Sequence, residues 1–99
     1  MYLIEKTTEF DKWLRKLKDL RAKAKILFRI QKLEKDEHFG DIKSVGDGIN
    51  ELKINYANGY RIYFKETDGK IILLLMGGVK STQQQDIEKA KNIWKKYKK

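Results

Sequence analysis

The chain has 99 residues, no cysteine and no proline, a hydrophobic content of 40%, and 23 Lys+Arg against 14 Asp+Glu, a formal charge of +9. That length suits one domain over residues 1–99 with a modest core, and the lack of cysteine excludes disulfides, a thiolate nucleophile and a cysteine-based zinc site. The cationic excess attracts polyanions, nucleic acid or an acidic protein segment, and the plainer alternative is a lysine-rich solvated surface. The first residues lack the basic-then-apolar order of a signal peptide, and the longest apolar run, Ile71–Met76, is far too short to span a bilayer. A cytoplasmic chain without a membrane partner is therefore expected.

In chain order, Tyr2–Lys6 reads as a first strand. Thr7 and Thr8 can cap a helix over Thr8–Leu20, with Glu9 and Asp11 in the first turn, where the helix dipole favours acid. Phe10, Trp13, Leu14, Leu17 and Leu20 form its apolar stripe. Asp19–Arg21 reads as a turn into a second helix, Ala22–Asp36, with Ile26, Ile30 and Leu33 inward and Leu27 and Phe28 widening that stripe. His38, at the exit of this helix, lacks a second ligand for a metal site and reads as a surface or capping residue.

A meander follows. Asp41–Val45, Ile49–Tyr56, Tyr60–Thr67 and Ile71–Met76 are strands separated by Asp47-Gly48, Asn58-Gly59 and Asp68-Gly69, pairs that supply the positive φ of tight hairpins. Alternation places Leu52, Ile54, Tyr60, Ile62 and Phe64 on an oily face and Glu51, Lys53, Arg61, Tyr63 and Lys65 on a polar one. Ile71–Met76, apolar throughout, suits a central strand covered on both faces. Ser81-Thr82-Gln83-Gln84 has a capping-box pattern before a last helix marked by Ile87, Ala90, Ile93, Trp94 and Tyr97. The fold class is α+β, the meander plus an N-terminal strand packed against a helical hairpin, with a C-terminal helix on the sheet or on the hairpin.

Phe10-Asp11-Lys12-Trp13-Leu14, Gly59-Tyr60-Arg61-Ile62-Tyr63-Phe64, and Leu74 through Gln83 with Asp86-Ile87 together resemble the addiction-module killer proteins, a phage Gp49-like, HigB-type branch of the RelE/ParE toxin superfamily. The similarity covers nearly the whole chain. It implies the toxin half of a type II toxin–antitoxin pair, with a helix-turn-helix antitoxin encoded next door. It also implies one of two activities. RelE-like members cut mRNA on the ribosome; ParE-like members inhibit DNA gyrase without being nucleases. A basic RNA- or ribosome-binding module without cleavage is a further alternative.

Residue by residue, the resemblance places Arg61 on the scissile phosphate, with Lys53 on the preceding strand and Lys80 closing the last strand as further cations. Several family nucleases use a histidine among these residues, and this chain has none there. Attack by a 2′-hydroxyl needs a base, charge stabilisation of the phosphorane and an acid for the leaving 5′-oxygen, and no metal or small-molecule cofactor is implied. Arg61 suits the second role through its planar fork. A lysine crowded by other cations, Lys53 or Lys80, or else Glu51, is a candidate base. Tyr63 is a candidate stacking platform or proton donor, and Lys65 and Lys43 are further RNA-binding candidates. From the residues alone, cross-strand ion pairs among Glu51, Lys53, Arg61 and Lys65 on a wet face account for the same pattern.

Overall fold

The computed structural model describes residues 2–36, 40 and 42–97, the side chain of Asp36 excepted. His38 and the Asp41 start of the expected strand lie outside the described residues. The elements run β1 (Leu3–Lys6), α1 (Thr8–Lys16), α2 (Leu20–Asp36), β2 (Ile42–Gly46), β3 (Ile49–Ile54), β4 (Tyr60–Thr67), β5 (Ile71–Gly78), a 3₁₀ turn (Lys80–Thr82) and α3 (Gln83–Tyr97). This is the α+β order expected. The strands form one sheet, β1-β5-β4-β3-β2, in which β1 is parallel to β5 and the other neighbours are antiparallel.

The largest correction concerns the second face of the sheet. It is not a wet face, because α3 lies against it. Ile49, Tyr63, Leu73, Leu75 and Ala90 form a buried cluster there, with Ile87, Ile93 and Trp94 packed around it. The other face carries the larger core, in which Leu52, Ile62, Phe64, Ile72 and Leu74 meet Phe10 of α1 and Ile26 and Leu33 of α2. The fully apolar run of β5 is thus explained by helices on both sides. A register shift between Tyr63 and Phe64 opposes Phe64 to Leu74 and Tyr63 to Met76, so Leu75 is a bulge residue. Leu75 and Met76 both pack toward the α3 side.

The helical hairpin divides differently from the sequence pattern. The Thr7 hydroxyl accepts the Phe10 N–H (3.0 Å) and donates to the Leu75 carbonyl (2.8 Å), so the expected cap also ties α1 to β5. α1 stops at Lys16 rather than Leu20, because the Asp19 carboxylate accepts the N–H groups of Arg21 (3.0 Å) and Ala22 (3.1 Å) and starts α2 early. Leu20 consequently sits outside the first stripe, 75% exposed. Leu27 and Phe28 also point outward instead of widening the core stripe.

The turns differ in one place that matters. Asp47 (φ 57°) and Gly48 (φ 75°) join β2 to β3 as a two-residue hairpin. β3, however, ends at Ile54, and the left-handed residues of the next connection are Ala57 (φ 48°) and Gly59 (φ 70°). The Asn58-Gly59 pair is therefore part of a longer loop, residues 55–59, in place of a tight turn. The expected Ser81 capping box does not form either. Ser81 lies inside the 3₁₀ turn, and the Thr82 hydroxyl donates to the Asp86 carboxylate at 2.5 Å.

Gly77 and Gly78 close β5, and each leaves room for a different helix. A side chain on Gly77 would enter the indole of Trp13 from α1; one on Gly78 would enter the carboxylate of Asp86 from α3. Gly77→Ala and Gly78→Ala are each expected to destabilise the fold by about 1–3 kcal/mol through overpacking. Asp19→Ala, which removes only the cap of α2, should cost about 1 kcal/mol. Urea unfolding monitored by circular dichroism separates these expectations.

Candidate nucleic-acid interface

α3 covers the second face of the sheet only in part. After Gly78 the chain leaves the sheet through Val79 and the 3₁₀ turn, and the Lys80 N–H donates to the Asn58 carbonyl at 3.1 Å. That bond holds the turn beside the β3–β4 loop. Between them opens a groove of about 820 Å³ lined by Lys53, Asn55, Tyr56, Asn58, Arg61, Lys80 and Ser81, among others. A smaller hollow of about 210 Å³, lined by Ile42, Lys43, Glu51, Lys53 and Arg61, adjoins it, since Lys53 and Arg61 line both.

Arg61 stands at the junction. Its strand neighbours are Lys53 on β3 and Gly78 on β5. Alternation aims it at the α3 side of the sheet, as expected, but that side is closed here, and Arg61 is only 5% exposed. Its Nη1 donates to the Gly59 carbonyl at 2.6 Å, and its Nε lies 3.5 Å from Glu51 Oε2, close enough for an ion pair but without hydrogen-bond geometry. The same Glu51 oxygen accepts from Nε2 of Gln83, the first residue of α3, at 2.7 Å. The arginine expected on a wet face is thus buried beneath the start of α3, while its pairing with Glu51 is one of the cross-strand ion pairs that the residues alone allow. Gly59 helps to fit it, for a Cβ there would lie 3.0 Å from Arg61 Nη1.

The remaining expected residues divide between the groove and elsewhere. Lys53 is half-buried and Lys80 exposed, both on the groove, and Lys43 is exposed beside the smaller hollow. Glu51 is buried and paired with Arg61; it lines the smaller hollow and not the larger groove. Tyr63 is fully buried beneath α3 and offers no ring face for a base, which corrects its expected stacking role. Its hydroxyl has no hydrogen-bond partner of ordinary geometry. Burial first, and then the neighbouring Glu51 carboxylate, push its pKa up, so it stays protonated throughout the working range. Lys65 leaves the groove altogether: its Nζ lies over the Trp94 ring of α3, 5.3 Å from the centroid.

Asn55, Asn58, Ser81 and Gln83 belong to this region and were not named as site residues from the sequence, where Asn58 reads as a turn residue and Ser81 and Gln83 as part of a helix cap. Asn58 had a local signal as a turn residue, but the contact of Gln83 with Glu51 spans 32 positions and has none. Among the described residues, no cluster of three or more His, Asp or Glu side chains could hold a metal ion. No helix among them is long and apolar enough to cross a membrane.

The chain can be set beside known proteins. A model of the family described as phage derived protein Gp49-like (DUF891) matches residues 12–98. An uncharacterized protein of Haemophilus influenzae is 57% identical over 88 residues, covering 89% of this chain and 88% of that protein. Among solved structures, the intact Escherichia coli RelBE toxin–antitoxin complex aligns with a TM-score of 0.66 at 17% identity, over 80% of this chain and 96% of that one. The isolated E. coli RelE toxin aligns with a TM-score of 0.65 at 15% identity, over 86% of this chain and 95% of that one. The structural likeness shows a shared fold, and the match over residues 12–98 shows the lineage: the chain belongs to the phage-derived Gp49-like family and is built on the RelE fold.

Proposed function

We propose that the chain is the toxin of a type II toxin–antitoxin pair and acts as a ribosome-dependent mRNA endoribonuclease, with Arg61, Lys53 and Lys80 on the scissile phosphate. The observation that carries this is the convergence of those three cations on one groove at the end of the sheet that α3 leaves open. In the reaction a 2′-oxygen attacks phosphorus, the bond to the 5′-oxygen breaks, and a 2′,3′-cyclic phosphate and a 5′-hydroxyl result. Charge builds on the non-bridging oxygens, where fixed cations act most strongly. Lys53 and Lys80 reach them as point charges and Arg61 as a fork. Glu51, held by Gln83, positions Arg61 instead of serving as a base.

Proton transfer is the weaker part of the apparatus. Among the described residues lining the groove there is no histidine and no carboxylate, and Tyr63 is sealed beneath α3. Most of the rate then comes from holding the RNA in line for attack, a task suited to the decoding site of a ribosome. The partner is an antitoxin, in keeping with the E. coli protein of the same fold solved in an intact RelBE complex.

Induced expression with and without the adjacent open reading frame, followed by mapping of transcript 5′ ends, tests this function. Cleavage on translated messages, suppressed by the neighbouring product, is the expected result; intact transcripts with gyrase-linked DNA breaks would overturn it. Arg61→Lys keeps a charge opposite Glu51 but loses the fork, and cleavage should fall about a hundredfold. Lys80→Ala should fall by a comparable factor while changing stability by less than about 0.5 kcal/mol, since Lys80 is exposed. Arg61→Ala is a poorer probe, because it strands the buried Glu51 carboxylate at a cost of about 3 kcal/mol. Tyr63→Phe removes a hydroxyl without a hydrogen bond, so toxicity should persist and stability should hold or rise by up to about 1 kcal/mol. Thermal melting beside primer extension reads each variant.

A further inference from the structure

The helices on opposite faces of the sheet meet again at its edge. β1 pairs only with Ile71–Leu74 of β5, so from Leu75 onward β5 has no strand on that side. α1 and α3 flank this edge with stripes of the same spacing. Glu9, Lys12, Trp13 and Lys16 recur at i, i+3, i+4 and i+7 on α1, and Lys89, Asn92, Ile93 and Lys96 do so on α3. Together with Met76 they line a groove of about 490 Å³. Trp13, Met76 and Ile93 are half-buried and form its floor, and Lys12, Lys16, Lys89 and Lys96 are exposed along its walls. Arg15 extends the charge, lining an adjoining hollow of about 350 Å³ with Lys12 and Lys16. Among the described residues Glu9 is the one acid in the lining.

We propose that this groove is the docking site for an acidic amphipathic helix of a partner protein. Apolar anchors on one side of such a helix bury against Trp13, Met76 and Ile93, and glutamates and aspartates on its flanks meet the lysine walls. A second copy of this chain does not fit, because symmetric pairing would set two lysine-walled grooves of a +9 molecule against each other. RNA fits less well, since single strands gain from cations and stacked rings and would leave Met76 and Ile93 without a counterpart. Among the described residues the groove shares no lining residue with the Lys53–Arg61–Lys80 groove, so its occupancy can be tested whether or not RNA is cleaved.

The probe is a synthetic helical peptide with leucines at i, i+3, i+4 and i+7 and glutamates on both flanks, titrated into the full-length protein. Its controls are a permuted peptide of the same composition without an apolar stripe, and a single-stranded RNA oligonucleotide. Nuclear magnetic resonance follows the Trp13 indole N–H and the Met76 methyl; calorimetry gives affinity. The amphipathic peptide should shift both signals and bind roughly tenfold more tightly than the permuted one. The double variant Lys16→Glu/Lys89→Glu should weaken it by roughly tenfold or more, with the variant's melting temperature showing an intact fold. Equal affinity for the permuted peptide would overturn the proposal by reducing the surface to charge alone. So would peptide-induced shifts confined to α2 or to the Arg61 groove, or shifts of Trp13 and Met76 by the RNA and not by the peptide.

Discussion

At the end of β5 two successive residues without side chains allow helices from opposite layers to close onto one strand. The Trp13 indole settles on Gly77 from one side and the Asp86 carboxylate on Gly78 from the other. Close packing leaves no slack for even a methyl group at either point. From this contact follows the placement of α3: Asp86 is drawn to the strand, Thr82 is fixed to Asp86, and Gln83 is left over Glu51. The start of α3 therefore determines how much of the polar sheet face stays open and which residues flank the opening.

The polar side chains on that face form a graded series as a result. Tyr63 is sealed in, Glu51 and Arg61 are buried as a pair, Lys53 is half-buried and Lys80 is exposed. A buried pair holds its geometry only while both members remain, which suits Glu51 to setting the direction of Arg61. The exposed lysine can follow a ligand that arrives. The groove thus combines a buried fork on β4 with lysines on β3 and on the turn after β5, and the Lys80–Asn58 backbone bond ties that turn to the β3–β4 loop.

Much of the architecture was legible in the sequence because its signals are local. Helical stripes, the Thr7 cap and the Asp-Gly turns each need only a few consecutive residues, and they yielded the element order and the alternation of β3 and β4. Arg61, Lys53 and Lys80 were legible as a group through family resemblance rather than chemistry. What escaped was long-range. Nothing in Ile87, Ala90 and Ile93 says which layer their stripe will cover, so the face holding Tyr63 was expected to be wet. The bulge at Leu75 also had no signal within an unbroken apolar run. The early start of α2 turned on one carboxylate, Asp19, whose bonds to two backbone N–H groups outweighed the apolar pattern running through Leu20.

The buried Glu51–Arg61 pair has a consequence for how the groove meets a polyanion. A carboxylate held 3.5 Å from the guanidinium cancels much of its charge at a distance, so among the described residues Lys53 and Lys80 remain as the uncompensated cations lining the groove. Single-stranded nucleic acid releases bound counterions in proportion to the cations that replace them, with a slope of log affinity against log salt of about −0.7 per charge. Two lysines give a slope of only about −1.4, a small electrostatic contribution for so basic a chain. A groove of this kind orients a phosphate brought to it more than it captures RNA from solution. On the mRNA-cleaving function proposed above, affinity for the message would come from a larger assembly that already holds it.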